Sequence, residues 1–192
     1  TSDDYKGYDP VSEMYYAATR YFRNQGNVPE YTSLTGAGSQ ANLAKWIDGF
    51  PVIRQWTDPM QYSCQKNFIL GIGDVYTHRD RHVPGSTITS GDEPAAPPEV
   101  RGGTTVHAAT ANNMVGQLEG LSNLATQFGR DGDGANRANS NFLAGLAYEA
   151  HTRDIRPEST MPGVQTISTY WMDVREAQTY ETKNQYWLAA KY

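Results

Sequence analysis

The sequence has few of the residues that build disulfides and basic binding surfaces. It contains one cysteine, Cys64, so no disulfide can form within the chain. Lysine and arginine number 16 against 21 aspartate and glutamate residues, which gives a formal net charge of -5. A chain with this balance lacks the positive charge that attracts a phosphate backbone or an anionic membrane. We therefore expect no nucleic acid among its partners.

Long apolar runs are also absent. No stretch approaches the roughly 18 residues that a membrane-spanning helix needs, so we predict a soluble chain with no membrane span. The first residues, TSDDYKGYDP, have neither the basic start nor the apolar centre of a signal peptide. Because the sequence begins at Thr1 rather than at methionine, we expect a processed product or an excised part of a longer protein.

The common catalytic and nucleotide-binding motifs are missing. No G-x-G-x-x-G opens a helix, no G-x-x-x-x-G-K-[ST] occurs, and there is no G-x-S-x-G elbow. Cys64 precedes an apolar run instead of lying at a helix start beside a histidine, so it does not resemble an activated nucleophile. We expect it to be either a buried free thiol or the disulfide partner of a cysteine outside this sequence. The sequence favours a protein that is not an enzyme.

Length and periodicity predict one α/β domain. A chain of 192 residues is long enough for one well-packed core and short for two, and its 18 glycines and 10 prolines indicate extensive loops. Hydrophobic spacing predicts helices over residues 10–25, 39–47, 104–128, 141–151 and 183–192, and strands over residues 67–73 and 164–174. Alternating helices and strands are typical of an open, mostly parallel sheet with flanking helices.

Three of these elements carry specific expectations. Asp9 is placed to cap the first helix, with Pro10 as its first residue. The strand over residues 67–73 is apolar throughout, which predicts helices on both of its faces. The helix over residues 104–128 is expected to bury Met114, Leu118, Leu121 and Leu124 or Ala125, and the next helix to bury Phe142, Leu146 and Ala150.

Asp74 follows the apolar strand in the stretch QYSCQKNFILGIGD. In open α/β sheets, ligands bind beyond the carboxyl ends of the strands, which makes Asp74 a candidate site residue. The alternative is that its carboxylate caps the turn or the helix that follows the strand.

Residues 75–103 form a long insertion that is rich in proline, glycine, serine and threonine. Loops of this length in a compact domain are functional or disordered. We expect this loop to flank the top of the sheet and to shape recognition, with Tyr76, Arg79 and Arg81 at the ligand.

His78 and His82 have the four-residue spacing of two zinc ligands on one helical turn, and Asp74 lies nearby. This pattern supports the alternative function, a metal-dependent hydrolase that uses Asp74, His78 and His82. However, arginines are interleaved with the histidines and a Pro-Gly pair follows, which disfavours a helix. A solvated loop of mixed charge is the interpretation that this composition favours.

Asp131 and Asp133, in the segment RDGDGANRAN, suggest a calcium-binding EF-hand. That loop needs an oxygen ligand at position five, glycine at six and glutamate at twelve. The sequence has Ala135, Asn136 and Phe142 at those positions, so it predicts a turn between two helices instead.

Several stretches together resemble a known family: DPMQYSCQKNFILGIGD, then LAYEAHTRDIRPE, PGVQTISTYWMDV and WLAAKY. They are similar to the von Willebrand factor A-like domain of PilY-type (also called PilC) type IV pilus tip adhesins. The resemblance extends from about Asp9 to Tyr192.

The resemblance implies a Rossmann-like domain with a metal-ion-dependent adhesion site at the carboxyl ends of its strands. Asp74 matches the aspartate that such domains place after a later strand, and Asp9 stands where the family has a threonine. The Asp-x-Ser-x-Ser motif of the family is absent, because the first strand should precede Thr1. We therefore expect a domain without its first strand, and Mg²⁺ or Ca²⁺ binding only where that motif is supplied.

The resemblance also implies a function. It predicts a non-enzymatic interaction domain of an extracellular or cell-surface bacterial protein at the pilus tip, involved in pilus assembly, adhesion and surface sensing. The implied partners are minor pilins and other tip components, together with host-cell or abiotic surfaces. A domain that only spaces the tip from the pilus is a further possibility.

Overall fold

The computed structural model describes residues 9–88, 94–122, 124–125, 140–174 and 182–192. Over these residues it is an α/β structure with six helices and a two-stranded sheet. The elements are α1 Val11–Phe22, α2 Gln40–Ile47, β1 Asn67–Gly73, α3 Pro98–Arg101, α4 Ala108–Glu119, α5 Phe142–Thr152, β2 Ile167–Asp173 and α6 Gln185–Lys191, with a 3-10 turn at Pro29–Thr32. The predicted α/β class is confirmed, and no described helix has the length and apolar character to cross a membrane.

β1 and β2 pair in parallel, in a register that aligns Asn67 with Ile167 and Gly73 with Asp173. The predicted bounds of β1 are confirmed, and β2 is shorter than the predicted residues 164–174. Since the strands are parallel, their carboxyl ends meet at one edge of the sheet. That edge carries Asp74 and the loop that follows it.

The two faces of the sheet differ in cover. Ile69 and Trp171 on the inner face pack against the helical core, where Ile167 is fully buried and Thr169 is 8% exposed. The outer face carries exposed apolar side chains, namely Phe68, Leu70, Ile72, Tyr170 and Met172. The expectation that helices cover both faces of β1 is therefore wrong for the described part of the chain. Apolar composition indicates that both faces favour burial, but it does not say which segment supplies the cover.

Helix α5 lies at the centre of the core and contacts α1, α4, α6 and β2. Phe142, Leu146 and Ala150 are buried as predicted, and most of the other residues of this helix are buried too. A helix that is apolar around its circumference is surrounded by protein, and this one is.

Helix α4 contacts α5 through small residues, not through the predicted leucine and methionine stripe. Met114 and Leu118 are 42% and 53% exposed, whereas Ala111 and Asn112 are buried. Leu124 and Ala125 are buried as predicted, although they follow the end of the helix. The close approach requires Gly145, because a Cβ there would lie 2.5 Å from the Asn112 main-chain nitrogen. The Asn112 side chain accepts from the Gly145 amide at 2.6 Å and donates to the Asn141 carbonyl at 3.0 Å. Hydrophobicity alone predicts that the longer side chains of α4 face α5. The short distance between the two helix backbones leaves room only for the small ones.

Helices α1 and α4 both end earlier in the chain than predicted, and backbone geometry explains the end of α4. Helix α4 ends at Gly120, whose φ of 69° is left-handed, so the predicted continuation to residue 128 does not occur over the described residues. The first helix ends at Phe22 instead of near residue 25.

Arg156, from the HTRDIRP stretch of the sequence, stabilises the carboxyl end of α1. Its Nε donates to the Phe22 carbonyl at 2.6 Å, and its guanidinium forms a two-pronged ion pair with Asp58. These bonds hold the pKa of the Asp58 carboxyl below its usual value. The HTRDIRP stretch, which helps to carry the family resemblance, therefore has a structural role.

Cys64 is a free and exposed cysteine. The expectation of a buried thiol is wrong, because Cys64 lies in the irregular segment before β1 and not in the strand itself. Whether it has a disulfide partner outside this sequence stays a prediction.

Gly71 on β1 is required by the indole of Trp171. A Cβ at Gly71 would lie 1.9 Å from a ring carbon of Trp171, which stacks on Tyr186 of α6 with ring centroids 4.2 Å apart. Gly73 has more room, since a Cβ there would be 3.6 Å from its nearest neighbour atom, the Tyr186 hydroxyl.

We therefore predict that Gly71→Ala destabilises this domain by about 2–3 kcal/mol, because the indole must leave its stacked position. The matched variant Gly73→Ala adds the same methyl group in ordinary van der Waals contact and should cost well under half as much. Denaturant unfolding, followed by the fluorescence of the tryptophans, measures both. Equal destabilisation by the two variants would contradict this account.

Candidate functional site

The loop at the carboxyl end of β1 forms the candidate site, and Asp74 begins it. The Asp74 Oδ1 accepts from the Tyr76 main-chain N–H at 2.9 Å, so the carboxylate caps the turn, which confirms the capping interpretation. The Tyr186 hydroxyl donates to the Asp74 carbonyl, and the Gln185 Nε2 donates to the Val75 carbonyl at 2.9 Å. Helix α6 thus holds the start of the loop in place.

Asp9 does not cap α1, and that expectation is wrong. Pro10 occupies the cap position without a side-chain cap, and the Asp9 carboxylate is directed to the His78 ring nitrogen Nδ1 instead. Burial raises the pKa of Asp9, the contact with His78 opposes this, and the negative charge of Asp74 adds to the rise. Asp9 and Asp74, which the resemblance assigned to one site, therefore lie close enough to interact electrostatically.

The residue that caps α1 is Asp80, from the loop. Its Oδ1 accepts from the main-chain N–H groups of Ser12 at 2.6 Å and Glu13 at 3.2 Å. Its Oδ2 accepts from the hydroxyls of Ser12 at 2.8 Å and Ser140 at 3.1 Å. A carboxylate at a helix N-terminus satisfies otherwise unpaired amides and complements the helix dipole. Sequence analysis missed this residue, because capping patterns are read from neighbours and Asp80 is 68 positions away from Ser12.

Two further contacts fix the loop to α1. The Glu13 Oε1 accepts from the His82 main-chain N–H at 3.0 Å and lies 3.7 Å from the His82 ring nitrogen Nδ1. The main-chain N–H of His78 donates to the Asp9 carbonyl at 3.3 Å. Asp80 is fully buried and Arg81 is 8% exposed, so the expectation of a solvated loop is wrong for the THRDRH stretch, residues 77–82.

The predicted zinc pair is not assembled. His78 contacts Asp9 and His82 contacts Glu13, and the intervening residues form no helical turn. Within the described residues, no three histidine, cysteine, aspartate or glutamate side chains are grouped so that they could hold a metal. A hard divalent cation needs several converging oxygens, and the carboxylates of Asp9 and Asp74 each have another partner here. The described residues of this candidate site therefore do not by themselves fit Mg²⁺, Ca²⁺ or Zn²⁺.

The loop borders a cleft of about 260 Å³. Its rim includes Arg81, His82 and Arg101, and its apolar lining includes Val83, Ile88 and Val100. Both sides of the cleft come from the predicted recognition loop, since α3 lies within residues 75–103. Of the three predicted recognition residues, Arg81 lines this cleft, whereas Tyr76 and Arg79 are half-buried elsewhere in the loop. Asp131 and Asp133 lie outside the described residues.

The electrostatics of the site follow from burial. Loss of water raises the pKa of Asp80 to about 7, although the hydrogen bonds from Ser12 and Ser140 oppose the rise. Burial, aided by the charge of Arg81, lowers the pKa of His82. Asp80 therefore exchanges its proton near pH 7.

Asp80→Ala should lower the free energy that protects the first-turn amides of α1 from exchange by about 2 kcal/mol, because these buried N–H groups lose their acceptor. Asp80→Asn keeps an acceptor oxygen and should cost much less. Hydrogen–deuterium exchange of the α1 amides, corrected for intrinsic rates, measures both losses. Equal protection in the wild type and in Asp80→Ala would show that the cap is unimportant.

The pH dependence of the same protection tests the raised pKa. A carboxyl whose pKa rises from 3.8 on folding to about 7 contributes stability that is complete below pH 3.8 and is lost as the pH rises towards 7. The protection of the wild type relative to Asp80→Asn should therefore decrease as the pH rises from about 4 to 7. A constant difference over this range would contradict the raised pKa.

Comparison with known proteins identifies the class to which this fold and site belong. Residues 5–145 match the family model described as "PilY1 homolog, second domain", so the chain belongs to the family of PilY1 homologs. A curated relative is the type IV pilus biogenesis factor PilY1 homolog of Xylella fastidiosa (strain Temecula1), which is 45% identical over 202 aligned residues. The alignment covers 100% of this chain and 16% of that relative, so the chain spans about one sixth of the relative's length. No solved structure matches the chain.

Proposed function

We propose that this chain is a non-enzymatic interaction domain of a type IV pilus biogenesis factor that acts at the bacterial cell surface, at the pilus tip. Membership of the PilY1 homologs and the name of the Xylella relative support the link to pili. The parallel strands with Asp74 beyond the end of β1 support a von Willebrand factor A-like arrangement whose remaining strands belong to other parts of the protein.

The observation that carries the proposal is the cleft between residues 81–88 and α3. Its loop is held to α1 by the buried Asp80 and to α6 by the hydrogen bond at Val75, so its shape is set before any partner arrives. Preorganised surfaces lose little entropy on binding. The hydrolase alternative needs His78 and His82 to converge with Asp74, but each histidine is directed to a different carboxylate of the α1 region.

The cleft fits a partner segment that combines an acidic group with apolar side chains. Arg101 is an exposed cation on the rim, and Val83, Ile88 and Val100 form an apolar floor. Complementary charge steers association and selects partners more than it adds affinity. We assign this recognition to a pilus component such as a minor pilin, with attachment to host-cell or abiotic surfaces following from assembly of the tip.

Arg101→Glu in the full-length protein should reduce the number of surface pili or the attachment of cells, because it reverses the charge on the cleft rim. The matched control is Arg54→Glu, since Arg54 is an exposed arginine outside the cleft. Sheared pili are quantified by immunoblot and attachment by counting bound cells, with the level of the variant protein measured in parallel.

Normal pili and normal attachment in the Arg101→Glu strain would contradict the role of the cleft. An equal defect in the Arg54→Glu strain would do so as well, because it would indicate a general effect of charge.

A further inference from the structure

A second cleft, of about 330 Å³, is lined by Tyr16 and Arg20 of α1 and by Glu99 of α3, with Thr105 just beyond that helix. The described residues that line it are all different from those of the cleft at residues 81–88. Ligand pockets in proteins measure about 300–1,000 Å³, so this volume suits a small molecule. We call this second cleft the Arg20 cleft.

Arg20 is a buried cation that forms no ion pair with the described residues, and it is 8% exposed. Its guanidinium donates to the main-chain carbonyls of Gly26 and Gln25, at 3.0 and 3.1 Å, and to the Tyr16 hydroxyl at 3.4 Å. All three acceptors are uncharged. A guanidinium has five N–H donors, of which these bonds use three, so two remain. Because buried charges in proteins are normally paired, Arg20 indicates that an anionic group binds in the cleft.

Glu99 gives the same cleft the opposite requirement. Its half-buried carboxylate receives no hydrogen bond from the described residues, and one of its oxygens, Oε2, is enclosed by protein. The hydroxyl oxygen of Thr105 is also enclosed without a partner in the described part of the chain. An ionised carboxylate can only accept hydrogen bonds, and leaving a buried acceptor unpaired is unfavourable. Glu99 therefore indicates a cationic donor.

The two opposite charges do not satisfy each other, since Arg20 and Glu99 line one cleft without forming an ion pair. A simple anion would pair with Arg20 but add a second negative charge near Glu99, and a simple cation would have the converse effect. Water would supply hydrogen bonds but no charge for Arg20. A small molecule that carries both an ammonium group and a carboxylate meets all of these requirements.

The guanidinium is positioned before any ligand binds. Its three hydrogen bonds fix it against the turn after α1 and against Tyr16, which is fully buried. Gly103 lets the main chain approach this group, because a Cβ at Gly103 would lie 2.9 Å from the Tyr16 hydroxyl. A preorganised charged group loses little entropy on binding.

We infer that the Arg20 cleft binds a small zwitterion of the α-amino acid type. The ligand carboxylate accepts from the Arg20 guanidinium, and the ligand ammonium donates to the Glu99 carboxylate. This site is separate from the partner recognition that we assign to the cleft at residues 81–88.

Saturation-transfer difference NMR with the full-length protein and a mixture of the common L-amino acids, each at millimolar concentration, tests the inference. We expect at least one amino acid to bind, and Glu99→Gln to weaken its binding by at least about tenfold, because a charged hydrogen bond is lost. The matched control is Glu30→Gln, since Glu30 is an exposed glutamate outside the cleft. Its binding should equal that of the wild type.

Ligand analogues test the two contacts without altering the protein. The amide of the amino acid that binds lacks the carboxylate for Arg20, and its N-acetyl derivative lacks the ammonium for Glu99. Isothermal titration calorimetry should show that each analogue binds the wild type at least about tenfold more weakly than the parent amino acid.

The inference is overturned if no amino acid binds, or if Glu99→Gln leaves binding unchanged. An equal loss in Glu30→Gln would overturn it too, because the effect would not be specific to the cleft. An amide or N-acetyl derivative that binds as tightly as the parent amino acid would also contradict it, since one of the two charged contacts would then be unused.

Discussion

The buried carboxylate of Asp80 is the interaction on which the arrangement of the site depends. One side chain accepts from the amides that open α1 and from the hydroxyl of Ser140, which precedes α5. A buried carboxylate without partners would cost several kcal/mol, so the donors around Asp80 are what make its burial tolerable. Because Asp80 belongs to the loop after β1, the same contacts fix that loop against two core helices. The shape of the cleft at residues 81–88 follows from them.

Close backbone packing is the second constraint. Gly145 lets α5 approach α4 until the Asn112 side chain reaches the Gly145 amide, and Gly71 leaves space on β1 for the indole of Trp171. Trp171 in turn stacks on Tyr186, whose hydroxyl holds the carbonyl of Asp74. The position of the candidate site is thus linked to the interior through a chain of contacts. At Gly145 and Gly71, a small residue is required by a polar or a large neighbour.

Over the described residues, the sheet is covered on one face only. The inner face of the sheet packs against the helical core, whereas the outer face presents apolar side chains over the length of both strands. Contiguous exposed apolar surfaces of this kind mark interaction surfaces. The chain belongs to the PilY1 homologs and spans about one sixth of the length of its Xylella relative.

The amino-acid sequence by itself determined the α/β class, the bounds of β1 and the burial of α5, because these depend on local hydrophobic periodicity. It also placed Asp74 beyond a strand end. It could not identify Asp80 as the cap of α1, since that contact joins residues far apart in the chain, and it assigned the role to Asp9 on local grounds. Only the tertiary structure decided that small residues of α4 face the core and that His78 and His82 contact separate carboxylates. It also decided that the described residues leave one face of the sheet uncovered. Each of these depends on which segments meet in space, and periodicity along the chain does not encode distances between segments.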